Sequence, residues 1–230
     1  MIVVVGSPVH RRSLGDGPSG VAGPGPAIAR SAAVAGSAVQ LVGKVGTDPV
    51  GDATLLALVR DGVGHAAMLR DPSHPTPVAG PAEPDDDPFE GDGSRLTAGP
   101  TVRPLPMDAE DLELALRYLG TFAVLVMAEV IDQAGLAVAT EAARYAGASL
   151  LIVLPDGAAA LDLPAEAIVL GAPPADEDGI FAQTVGTCAA ALDRGLSPVD
   201  ALRATLAAAG WESASASNGP APVSSARRAG

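Results

Sequence analysis

The sequence is short of the residues that usually staple a fold or arm a site. Its one cysteine, Cys188, excludes an intrachain disulfide and any cysteine zinc cluster. Cys188 falls mid-helix among alanines and reads as a small core residue. Aromatics make up only 3% of the chain, so the core has to come from Ala, Val and Leu. The single tryptophan, Trp211, is expected to pack the last helix against the body. Lys44 is the one lysine among 14 basic residues, and 27 acidic residues bring the formal charge to -13. No basic patch is available to neutralise phosphates, which argues against nucleic acid as a partner. The same acidity argues against binding to a membrane surface. His10, His65 and His74 are too scattered to suggest a metal site, and none is expected. No apolar run approaches the length of a membrane span, and no basic segment followed by an apolar one opens the chain. The expected location is the cytoplasm.

What is present is regular alternation. The 230 residues suit one domain with a substantial core, and 27 glycines with 21 prolines imply many turns. Apolar strands are predicted at Ile2–Val5, Val39–Val42, Phe122–Met127, Leu150–Leu154 and Ala167–Leu170. Helical patterns run from the Gly23-Pro24-Gly25-Pro26 turn to Gly36, then over Asp52–Asp61, Leu112–Leu119, Ile131–Ala146, Ile180–Leu192 and Pro198–Ala209. Met107-Asp108 supplies a cap before the third of these. Strands alternating with helices predict a three-layer α/β/α domain over residues 1–211, with a mainly parallel sheet. Residues 71–104 break the pattern and read as an irregular loop or reduced flap. The Ser, Ala, Gly and Pro tail at 212–230 reads as disordered.

Several clusters carry possible chemistry. His10, Arg11 and Arg12 follow the first strand, where parallel sheets bind ligands, and together suit an anion such as a phosphorylated metabolite. A solvated loop is the plainer reading. Gly23 and Gly25 allow close backbone approach to a ligand, but Pro24 and Pro26 remove amide donors, which favours a helix-capping turn. Asp85–Asp87, Glu90 and Asp92 offer oxygen ligands for a hard cation. Without calcium-loop spacing they read as a solvated acidic loop.

The stretch Val42-Gly43-Lys44-Val45-Gly46-Thr47-Asp48-Pro49-Val50-Gly51-Asp52, spaced from Gly36, resembles the first signature of the ribokinase (PfkB) sugar kinases. Residues 150–171 resemble that family's middle strands, and Arg194-Gly195-Leu196-Ser197-Pro198 resembles its last turn. The resemblance implies a ribokinase-like fold with a reduced flap. It also implies an amino-terminal Asp and an Asn that hold sugar hydroxyls, and these positions fall on Arg11 and Ala27. Alanine makes no such bond, and a guanidinium only donates.

The family's second signature, Asp-Thr-x-Gly-Ala-Gly-Asp, supplies an anion hole and a catalytic base. Its best register is Asp176-Glu177-Asp178-Gly179-Ile180-Phe181-Ala182, which keeps the first Asp and first Gly and puts Ala182 at the base. A second register lays a Pro-Asn-x-x-Glu motif on Pro174–Asp178, with Ala175 for Asn and Asp178 for Glu. Both use the same residues, so the strands between the two motifs are expected to be missing.

The resemblance therefore implies a degenerate kinase without phosphotransfer, binding a small and possibly anionic ligand or a protein partner. One alternative is an active sugar or nucleoside kinase using ATP and Mg²⁺, with Asp176 or Asp178 as a relocated base. Another is a structural homodimer without ligand. The expected ligand region is His10, Arg11, Arg12, Gly23, Gly25 and Ala27, and the degenerate anion hole is Asp176, Asp178, Gly179 and Ala182. No cofactor is required outside the kinase alternative.

Overall fold

The chain is seen in a computed structural model that describes residues 1–12, 20–80, 102–129, 132–155, 161–174, 176 and 178–208. Its first half runs β1 (Ile2–Val5), β2 (Val9–Arg11), β3 (Gly20–Ala22), α1 (Pro24–Val34), β4 (Val39–Gly46), α2 (Pro49–Arg60), β5 (Met68–Asp71) and β6 (Val78–Ala79). Its second half runs α3 (Ala109–Arg117), β7 (Val124–Met127), α4 (Gln133–Ala146), β8 (Ser149–Leu154), β9 (Ile168–Gly171), α5 (Ile180–Asp193) and α6 (Pro198–Ala208).

β1 and β7 are buried at every position, without polar alternation. Such strands are covered on both faces, as in a parallel sheet with helices above and below. They lie at the centre of a six-stranded sheet of order β5-β4-β1-β7-β8-β9, every neighbouring pair of which is parallel. Val4 sits opposite Leu41 on one side and Val126 on the other. One face buries Ile28 and Ala32 of α1, Leu58 of α2, Val185 and Ala189 of α5 and Ala201 of α6. The other buries Leu112 and Leu116 of α3 with Leu136 and Ala139 of α4. The three layers and parallel sheet are those expected.

A small sheet, β3-β2-β6, stands apart from the main one, with β2 antiparallel to β3 and parallel to β6. It corrects the loop reading of His10 and Arg11, which lie in β2. These strands and β5 escape periodicity because each is short and only partly buried. β6 falls within the stretch expected to be irregular, and residues 102–108 are irregular. Residues 81–101, with the acidic run, lie outside the described residues, as do Trp211 and the tail.

α2 begins at Pro49, ahead of the expected Asp52, because Asp48 caps it and Pro49 presets its first turn. Asp48 also ties the small sheet to the main one. Its Oδ1 accepts from the Gly51 N–H and the Thr76 hydroxyl, both at 2.7 Å, and its Oδ2 accepts from the Thr76 N–H at 2.7 Å. Thr76 Oγ1 in turn accepts from the Gly46 N–H at 2.9 Å. Burial pushes the Asp48 carboxyl up, but the Thr76 and Gly51 bonds outweigh it and leave the group below its ordinary value. The single lysine, Lys44, pairs with Asp111 in the capping box of α3.

Asp48→Asn keeps the shape but weakens charge-assisted bonds to three donors, at an expected cost of about 1–3 kcal/mol. Because the folded carboxyl is held low, the contribution of Asp48 is present above its unfolded pKa and lost as the pH falls. Thermal melts from pH 7 to pH 3 should show the wild-type advantage shrinking towards acid. A constant gap would contradict the Asp48 tie.

Candidate functional site

The carboxyl ends of β7, β8 and β9 open into a cleft of about 930 Å³. Parallel sheets favour ligand binding at this edge, where helix amino termini converge. Two of those helices are held close by glycine. A Cβ on Gly25 would lie 2.8 Å from Gly6 Cα, so only glycine lets the first turn of α1 rest on the chain leaving β1. A Cβ on Gly186 would lie 2.6 Å from Ser31 Cβ and 2.8 Å from Ile28 O, which fixes α5 against α1.

The first turn of α1 contributes Gly23, Pro24 and Ala27 to the cleft. Gly23 is the N-cap at φ 115, with Pro24 following it in the first turn. Pro24 and Pro26 carry no amide hydrogen. The Ala27 N–H is spent on Gly23 O at 3.1 Å. This helix end has the usual partial positive charge but few donors to deliver it.

The start of α5 is occupied differently. Its N-cap is Gly179, left-handed at φ 68 and with no side chain to cap with. Asp176 does so instead: its Oδ1 accepts from the Phe181 N–H and its Oδ2 from the Ala182 N–H, each at 2.9 Å. Ala182 is only 4% exposed and presents a methyl group where the cleft meets the helix. Asp178 is exposed on the same wall.

Glu129, two residues beyond β7, was not anticipated from the sequence. It lines the cleft, and its Oε1 is buried with no hydrogen-bond partner. Burial pushes its carboxyl from 4.5 up to about 7, partly opposed by the Ser7 N–H, which donates to it. Arg103, in the segment leading to α3, also lines the cleft and was likewise not anticipated. The signal for Glu129 was a lone acid directly after the apolar run Val124–Ala128, at the strand end where ligands bind. Arg103 had no such signal.

The cleft brings together Arg11, Gly23, Ala27, Asp176, Asp178, Gly179 and Ala182 from both ends of the sequence. His10, Arg12 and Gly25 are not among its lining residues. His10 is 7% exposed and faces α2, with Nδ1 3.1 Å from Thr54 Oγ1. The Thr54 hydroxyl donates to Val50 O at 2.8 Å, so His10 Nδ1 carries the hydrogen and donates to Thr54. Burial and then the Arg12 charge lower the His10 pKa, with Asp48 opposing them. His10 therefore latches the small sheet to α2. Arg12 continues the pairing with β6 through its N–H to Ala79 O at 2.9 Å. Among the described residues no group of three or more His, Cys, Asp or Glu is placed to hold a metal ion. No described helix is long and apolar enough to cross a membrane.

No protein-family model matches the sequence, and no curated protein matches it. Solved structures do. The chain is similar to Arabidopsis thaliana ribokinase complexed with ribose and ATP, at 18% identity and a TM-score of 0.55, over 90% of each chain. It is similar to a candidate phosphofructokinase from Staphylococcus aureus at 12% identity and a TM-score of 0.57, again over 90% of each. A candidate ribokinase II from E. coli, in complex with ATP and magnesium, aligns at 12% identity and a TM-score of 0.55, over 89% of each chain. The chain has the ribokinase-like fold.

Glu129 makes stability depend on pH in a direction opposite to Asp48. Its folded pKa is raised, so its contribution is fully present below pH 4.5 and is lost as the pH rises to about 7. The loss amounts to about 3 kcal/mol at most. Glu129→Gln, neutral throughout, should melt higher than the wild type at pH 8, and the difference should close towards pH 4.5. Parallel profiles would show that Glu129 is not buried in the cleft as described.

Proposed function

We propose that this ribokinase-like protein binds a small hydroxylated ligand in its cleft and does not transfer phosphate to it. The head of α5 carries the reading. Phosphoryl transfer on such a scaffold relies on backbone amides that hold the developing charge and a base that takes the hydroxyl proton. At this helix end two amides already hold the Asp176 carboxylate, and the side chain at 182 is a buried methyl. The residues present do not fit a transferable phosphate of ATP.

Glu129 supports the binding half of the reading. A buried carboxylate oxygen without a partner is costly unless a ligand or water donates to it. A hydroxyl reaching Oε1 relieves that cost and favours the ionised form. Arg11 and Arg103 on the same cleft add charge and fixed donor geometry suited to a carboxylate or phosphate group. A small polyol or sugar bearing an acidic group matches this set better than a neutral sugar.

The active-kinase alternative has one specific foothold. Asp176 has both oxygens engaged, so a relocated base would be Asp178, which is exposed on the cleft wall. Loss of a general base typically costs about 10²–10⁴ in rate. Purified protein incubated with ATP, Mg²⁺ and a panel of sugars and nucleosides should form no ADP above the no-substrate control. Thermal-shift screening of sugar acids and phosphorylated sugars should find stabilising compounds whose effect is reduced by Glu129→Gln. Turnover at ordinary kinase rates that disappears in Asp178→Asn would overturn the reading in favour of the alternative.

A further inference from the structure

Resting on the reading of the cleft as a binding site, we infer that Asp176 is its specificity-determining residue: it acts as a built-in anion that closes the α5 end to anionic groups and leaves Arg11 and Arg103 to take them. Each carboxylate oxygen of Asp176 accepts one of two consecutive amides, Phe181 and Ala182, at 2.9 Å. Two oxygens of one anion on adjacent amides of a first helical turn is how a phosphate or sulfate is held at such an end. The occupant here is part of the chain, at high effective concentration, and a free anion has to displace it. An incoming anion also meets the negative charge of Asp176 itself, with Asp178 beside it on the same wall.

The second helix end offers little in its place, since Gly25, which keeps its amide hydrogen, is not among the cleft-lining residues. Pro24 and Pro26 lack amide hydrogens, and the Ala27 N–H is committed to Gly23 O. The cationic side chains lining the cleft among the described residues are Arg11, Arg30 and Arg103. Arg30 is engaged by Asp61 at 3.4 Å. Arg11 and Arg103 are exposed to the cleft, so an anionic ligand group sits towards them and away from α5. The ribokinase-like scaffold is then read with its polarity turned round. A hydroxylated acid lies with its acid group at the arginines and a hydroxyl at Glu129.

The test is a titration of the ¹⁵N-labelled full chain with inorganic phosphate at constant ionic strength, followed by NMR. In the wild type, phosphate should shift the Nε resonances of Arg11 and Arg103 and leave the Phe181 and Ala182 amides in place. In Asp176→Ala the two amides should respond, with an apparent affinity at least tenfold above any response in the wild type. Asp176→Asn keeps a capping oxygen without the charge, and should show the same gain if Asp176→Ala frays the helix. Arg11→Ala combined with Arg103→Ala should abolish the wild-type response. Phosphate that moves Phe181 and Ala182 in the wild type would overturn the inference. So would amides that stay silent in both Asp176 variants, or arginines that never respond. ADP formation is read separately, so failure of the non-kinase reading is distinguishable from failure of this one.

Discussion

The contact of Gly25 with Gly6 is the constraint on which the rest depends. A single methyl at either glycine would push the first turn of α1 off the end of β1, since each Cβ would come within 2.9 Å of the other's backbone. α1 in turn carries the surface on which α5 packs, through the equally tight seat of Gly186 against Ser31 and Ile28. Two helix ends are thereby brought to one edge of a parallel sheet whose centre is fully buried. The cleft is what remains between them. Its geometry follows from backbone approach, and its chemistry from the few side chains that reach it.

Those side chains make an unusual electrostatic arrangement. Helix amino termini ordinarily supply the positive end of such a cleft. Here one loses two of its amide hydrogens to proline and the other is satisfied by Asp176, so Arg11 and Arg103 supply the positive charge. Glu129 lies deeper, largely buried, with a carboxyl near neutrality and one oxygen lacking a partner. A carboxyl so placed is costly unless a donor reaches it. The small sheet that brings Arg11 to the cleft is anchored by two separate devices, Asp48 with Thr76 and His10 with Thr54. The first reaches the end of β4 and the start of α2 and the second the middle of α2, so the small sheet, α2 and the main sheet share one polar seam.

The central fold was legible where burial imposed it. Ile2–Val5, Val39–Val42 and Leu150–Leu154 read as strands because both faces are covered and no polar residue interrupts them. Asp108 and Gly36 marked helix limits through cap chemistry that acts locally. β2, β3, β5 and β6 were not legible, because two to four residues with one face partly exposed leave no period to detect. Their pairing is set by residues far away in sequence. The candidate site was half legible. Arg11, Ala27 and Ala182 stood out as departures from a resembled pattern, and the structure places all three on one cleft. That Asp176 would turn its carboxylate onto the amides of Phe181 and Ala182 is a matter of loop geometry that no spacing encodes. Glu129 was passed over because a single acid after an apolar strand looks like any strand end until burial is known.

A crystal structure of the protein grown with Mg²⁺ and a non-hydrolysable ATP analogue would show what occupies the head of α5. The Asp176 carboxylate is expected still on the Phe181 and Ala182 amides, with no phosphate at that helix end. A terminal phosphate seated on those amides, with Asp176 swung aside and an ordered acceptor hydroxyl near Asp178, would contradict that expectation.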